Sequence, residues 1–131
     1  MSPQYTVLLA NESDYRRTIL EDNLKEAGFK VISVETASDL IKRANEADVL
    51  IADGRLDDGK AAGVEAIAKL VTEDLIPSNV GIILHSIVRQ ESPNFSRGLA
   101  ALHARQRKFT WLRWPFEVEK LLQSISKELG A

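Results

Sequence analysis

The 131 residues contain no cysteine. Disulfides, thiolate nucleophiles and zinc–thiolate centres are therefore excluded. Histidine is nearly as scarce: His85 and His103 are the only two, and they fall on different predicted elements, which argues against a histidine metal site. Ser86 follows His85 directly, but no third residue completes a nucleophilic triad. No apolar run approaches the ~18 residues of a membrane-spanning helix. The start, Met1-Ser2-Pro3-Gln4-Tyr5, lacks the basic-then-hydrophobic pattern of a signal peptide. A cytoplasmic protein without membrane contact is the expectation. Gly-x-Gly-x-x-Gly and P-loop patterns are missing, and no glycine- or hydroxyl-rich turn follows the first predicted strand. A nucleotide- or flavin-binding enzyme therefore ranks last among the functions considered.

One absence is local. From Ser92 to Phe116 there is no Asp or Glu, while Arg97, Arg105, Arg107, Lys108 and Arg113 are present. That stretch carries +5 and the remainder −7, for a net charge of −2. It reads either as a solvated helix face or as a docking face for an acidic partner. The basic stretch alone does not support direct nucleic-acid binding.

What is present is ordinary in amount and regular in order. The chain is 44% hydrophobic and 27% charged, and residues 1–131 read as a single domain with no linker or repeat. Thr6 to Ala10 is predicted as a strand. Asp14 to Ala27 is predicted as a helix, with Tyr15, Ile19, Leu20, Leu24 and Ala27 on one face and Gly28 ending it. A strand over Lys30 to Val34 and a short helix over Ala37 to Ala44 follow. Val49 to Ala52 is an unbroken apolar run, as expected of a strand covered on both faces, and it ends on Asp53 and Gly54. Val64, Ile67, Ala68 and Val71 mark a third helix that stops before Pro77. Val80 to Leu84 is a fourth strand, Phe95, Leu99 and Leu102 lie on a fourth helix, and Phe109 to Leu112 is a fifth strand. Val118, Leu121, Leu122, Ile125 and Leu129 form a stripe of helical period on the last helix. No DNA-binding module is expected within these residues.

Five strands alternating with five helices imply an α/β fold with right-handed crossovers. The lengths fit a flavodoxin-like, doubly wound, five-stranded parallel sheet of order 2-1-3-4-5. The first and third strands are then neighbours, so Asn11-Glu12 and Asp53 face each other at the carboxyl edge, where such folds place their chemistry. A simpler reading makes Asp53-Gly54 a turn pair.

At this point the chain resembles the receiver domain of two-component response regulators, of the chemotaxis-regulator kind, almost end to end. Thr6-Val-Leu-Leu-Ala-Asn-Glu12 is similar to the family's first strand and terminal acidic pair. Glu26-Ala-Gly-Phe-Lys-Val31 is similar to its helix-to-second-strand turn, and Asp48 to Leu56 to the strand bearing its phosphoacceptor aspartate. Trp114-Pro115-Phe116-Glu117 stands where the family carries Lys-Pro-Phe and a polar residue. The resemblance implies a non-enzymatic phosphorelay module with Asp53 as phosphoacceptor and Ser86 as the hydroxyl beside it. It also implies weak Mg2+ ligation by Glu12, Asp53, Asn11, the Arg55 backbone carbonyl and waters. A histidine kinase or phosphotransfer protein would act upstream and an effector protein downstream, and a homodimer is compatible with it. The partner face would comprise Trp111, Trp114, Arg105, Arg107 and Lys108.

The departures are chemical. Asn11 is a neutral amide where the family has an acid, and Trp114 replaces the lysine. Arg113 should point to the opposite face of its strand and so does not substitute for that lysine. His85 and Ser86 compete for the hydroxyl position, which only Ser86 can fill. The Arg55 to Gly63 loop is longer than the family's and lacks its proline. Trp111 stands at the aromatic switch position, although packing alone explains a tryptophan there. Trp114 either occludes the pocket or covers apolar surface at the sheet edge. Phosphoryl transfer to a carboxylate depends on positioning and charge neutralisation, so these changes should slow it. Two readings remain open beside the enzyme one: an atypical phosphoacceptor switch, and a pseudo-receiver serving as a phosphorylation-independent protein–protein interaction module.

Overall fold

The computed structural model describes residues 4–130; Met1–Pro3, at the start read above as lacking a signal pattern, and Ala131 lie outside them. Five strands, β1 (Thr6–Ala10), β2 (Lys30–Val34), β3 (Val49–Asp53), β4 (Gly81–Ser86) and β5 (Thr110–Arg113), alternate with five helices. These are α1 (Asp14–Glu26), α2 (Ala37–Arg43), α3 (Ala62–Thr72), α4 (Ser96–Ala104) and α5 (Val118–Glu128). All strand pairings are parallel, and the order is β2-β1-β3-β4-β5, as the alternation predicted.

The pleat sorts the apolar residues into two cores. Val7, Leu9, Val49, Ile51, Ile83 and Leu112 meet Leu20 and Leu24 of α1 and Leu121 and Ile125 of α5. Leu8, Ala10, Leu50, Ala52, Ile82 and Leu84 meet α2, α3 and α4 through Leu40, Val64, Ile67 and Leu102. Period-two alternation along fully buried strands therefore fills both faces at once.

Helix ends follow their local chemistry. The Ser13 hydroxyl caps α1 by accepting the Arg16 amide at 3.3 Å. Gly28, at φ +98°, turns the chain out of α1, a conformation that suits glycine. Gly63 serves a different purpose: a Cβ there would lie 1.8 Å from the Asp53 carbonyl oxygen. Only a glycine lets the first turn of α3 press against the end of β3, where the Val64 amide bonds the Gly54 carbonyl at 3.0 Å.

Several boundaries and faces shift. The second helix ends at Arg43, and Ala44–Glu46 tightens to a 3-10 turn. β4 begins at Gly81 and runs on through His85 to Ser86, while β5 starts at Thr110. Tyr15, read as part of the inward face of α1, is 75% exposed, and Ala27 is exposed too. The long loop after Asp53 is folded rather than open: Leu56–Asp58 forms a 3-10 turn that buries Leu56 completely.

Candidate functional site

The same pleat that builds the α1/α5 core carries Asn11, Asp53, His85 and Trp114 on that side at the carboxyl edge. Asp53 and His85 are register partners on β3 and β4. The Asp53 carboxylate is almost buried, at 5% exposure. Its Oδ1 accepts the Arg55 amide at 2.9 Å, closing a local turn. Its Oδ2 lies 3.8 Å from Nη1 of Arg16, on the first turn of α1. Glu12, Ser13, Arg16, Asp53, Arg55 and Ile87 surround a pocket of about 220 Å³. Glu12 and Asp53 thus share one pocket, as the strand order required. Two depressions of about 680 Å³ each lie elsewhere, around Gln106, Arg107 and Lys108, and one of about 260 Å³ lies beside Trp111 and Arg113.

Arg16 was not singled out from the sequence. Its guanidinium carbon sits 5.3 Å from the centroid of the Trp114 ring, within cation–π range. Trp114 is packed edge-on by Phe116 at 5.0 Å and lies 6.2 Å from the His85 ring. The Trp114–Pro115 peptide is cis. Trp114 therefore stands beside the pocket as the support of a cation carried by another element. Arg113 is exposed and forms no ion pair among the described residues, in keeping with its predicted orientation.

His85 is completely buried, and neither ring nitrogen has a hydrogen-bond partner. Burial pushes its pKa from 6.5 down to about 4; the Asp53 charge opposes that shift and Arg16 adds to it. The imidazole is thus neutral near pH 7.

The other expected site residues fall in different places. Ser86 ends β4, fully buried, and its hydroxyl accepts the Val88 amide at 3.0 Å instead of lining the Asp53 pocket. Asn11 is also fully buried: its Oδ1 accepts the Ser13 amide at 2.9 Å, and its Nδ2 has no acceptor among the described residues. Trp111 packs on the opposite core, 5.2 Å from Phe95, with its indole nitrogen buried and unbonded, so packing accounts for it. Arg105 and Arg107 do not project freely. Arg105 bonds the Thr72 carbonyl at 2.6 Å and pairs with Asp74 at 3.7 Å. Arg107 is half-buried and donates to the carbonyls of Pro77 and Val80, so the expectation of an exposed Arg105–Arg107–Lys108 patch is corrected at Arg107.

The pocket offers a magnesium ion few donors: Glu12 and Asp53 are the carboxylates that line it, with Arg16 on the same rim. The free edge of the Asn11 amide is a donor, which cannot ligate a cation. One oxygen of Asp53 holds a backbone amide, and the other faces a guanidinium. Among the described residues no three acidic or histidine side chains converge as metal ligands.

Comparison with protein-family models and with curated proteins finds no match. Solved structures do match. A CheY-like receiver domain from Methanospirillum hungatei superposes with a TM-score of 0.78 at 14% identity, over 98% of this chain and 95% of the other. A chemotaxis response regulator of Vibrio cholerae gives 0.75 at 21% identity, over 97% and 100%. The receiver domain of a Pseudomonas aeruginosa sensor histidine kinase, solved with magnesium in its active-site cleft, gives 0.73 at 20% identity, over 98% and 100%. At these identities the likeness is one of architecture, and no helix among the described residues is long and apolar enough to cross a membrane. The chain has the fold of response-regulator receiver domains, with a guanidinium–indole pair at the edge where its lone central aspartate stands.

Proposed function

We propose that this chain is a receiver-fold signalling module that binds a protein partner without being phosphorylated, a pseudo-receiver. One observation carries the reading: the Asp53 carboxylate already faces the Arg16 guanidinium, 3.8 Å away. A phosphoryl acceptor needs one carboxylate oxygen free to attack phosphorus in line, with cations gathered on the incoming phosphoryl oxygens rather than already engaged with the acceptor. Here one oxygen holds the Arg55 amide, the other faces a side chain supported on Trp114, and the Ser86 hydroxyl serves its own loop. The module has no catalytic role in this reading. Its partner is acidic and docks on α4, β5 and α5, where Arg97, Lys108 and Arg113 are exposed on a segment without acids.

The deciding experiment is incubation with acetyl phosphate and magnesium, followed by intact mass measurement, with Asp53→Ala as control. The expected spectrum shows no phosphoryl increment in either protein. An increment in the wild type that Asp53→Ala abolishes returns the chain to the phosphoacceptor class, with a histidine kinase or phosphotransfer protein upstream.

A further inference from the structure

We infer that Arg16 is a tethered cation that occupies the charge-neutralising position of the Asp53 pocket and excludes magnesium from it. The inference deepens the pseudo-receiver reading and rests on the same pocket, but its test uses no phosphodonor.

Delivery of Arg16 is built into the start of α1. The Ser13 cap fixes the helix origin through the Arg16 amide itself. The next residue, Arg17, locks the turn from outside: its Nη1 bonds the Asn11 carbonyl at 2.8 Å, and its Nη2 pairs with Glu35 at 3.0 Å and with Asp14. With the helix start capped and Arg17 tied down, the Arg16 side chain runs inward between the Trp114 face and Asp53. The ring is held in turn by Phe116, which packs against it edge-on.

The two departures noted at this edge then belong to one arrangement. A lysine at position 114 would set a second cation against Arg16, whereas the indole offers it a π face. An acid at position 11 would add a second buried negative charge at this edge, whereas the neutral Asn11 leaves Asp53 as the buried charge that Arg16 faces. A guanidinium stays charged at every accessible pH and fits a carboxylate without shedding a tightly held water shell. Magnesium must shed part of such a shell and would arrive a few ångströms from a fixed like charge.

The test is direct metal titration by calorimetry and tryptophan emission, with Mg2+ and with Mn2+ as a paramagnetic probe. Wild type and Arg16→Lys, which keeps the charge, are expected to show no saturable binding at millimolar magnesium. Arg16→Gln should bind, and Arg16→Gln/Asn11→Asp should bind at least about tenfold more tightly again, because the added carboxylate attracts the ion, less the cost of its own burial. Adding Asp53→Asn should abolish that gain, placing the ion in this pocket. Wild-type affinity equal to that of Arg16→Gln, or a double variant that binds no better than wild type, overturns the inference. Either failure leaves the mass-spectrometric test of phosphorylation untouched, and the converse also holds.

Discussion

His85 shows how much one side chain can reveal about its surroundings. A neutral imidazole has one donor and one acceptor, and here both are buried without partners. Such a group costs stability that an apolar replacement of similar size does not. The folded pKa of about 4 lies below histidine's ordinary value of 6.5. Between those values the unfolded chain binds a proton that the folded chain refuses, so stability falls as pH drops from about 6.5 toward 4. His85→Leu should therefore be at least as stable as wild type at pH 7, and it should lose a pH-dependent contribution of up to ~3 kcal/mol. Urea unfolding at a series of pH values checks this; a variant retaining the full wild-type slope would assign the titration elsewhere. None of this was legible in the sequence, where His85 was an ambiguous neighbour of Ser86. Its burial depends on Trp114 and Phe116 closing over it from a loop distant in sequence.

At the level of elements, sequence and structure agree closely, and the reason is periodicity. Strands such as Val49–Asp53 are buried on both faces and read as continuous apolar runs, while α5 carries its stripe at helical spacing. The carboxyl-edge meeting of Glu12 with Asp53 follows from strand order alone. Helix rotation is harder to read. Tyr15 and Arg16 are about 100° apart around α1, and at that level the inward direction belongs to the arginine, leaving Tyr15 in solvent. A long polar side chain reaching a buried acid breaks the apolar stripe that periodicity detects, so Arg16 was invisible to it. Adjacent arginines on a first turn beside the edge of a parallel sheet were the available signal. The junction of β3 with α3 gives a sharp prediction. Gly63→Ala sets a methyl group against the Asp53 carbonyl at an impossible 1.8 Å. The helix must back away, and thermal melts should report a loss of roughly 3 kcal/mol or more. A melting temperature within a degree or two of wild type would mean that α3 is not seated as described.

Across the whole molecule, charge is divided between an acidic body and the basic Ser92–Phe116 stretch. The structure separates the members of that stretch by what they do. Arg107 ties the turn before β4 to the chain leading into β5 through the carbonyls of Pro77 and Val80, so Arg107→Glu should destabilise the fold by about 1–3 kcal/mol. Lys108 is exposed, and Arg105, though it touches Thr72 and Asp74, is 46% exposed in its side chain. Arg105→Glu/Lys108→Glu should keep the wild-type melting temperature within a few degrees. It should also weaken binding to a fluorescent polyglutamate peptide, with the wild-type affinity falling as salt rises. Equal binding by the two proteins would remove this face from the docking surface. The Arg16–Asp53 contact has a consequence at the same scale. A dissolved ligand stabilises a protein by mass action, in proportion to the logarithm of its concentration. A cation borne on the protein's own first helix obeys no such isotherm: its local concentration is a property of the chain, the same in every compartment and at every moment. On the proposed reading, a pocket whose cation is built into the chain does not report the level of a solute, and the information such a module passes on enters through its surface.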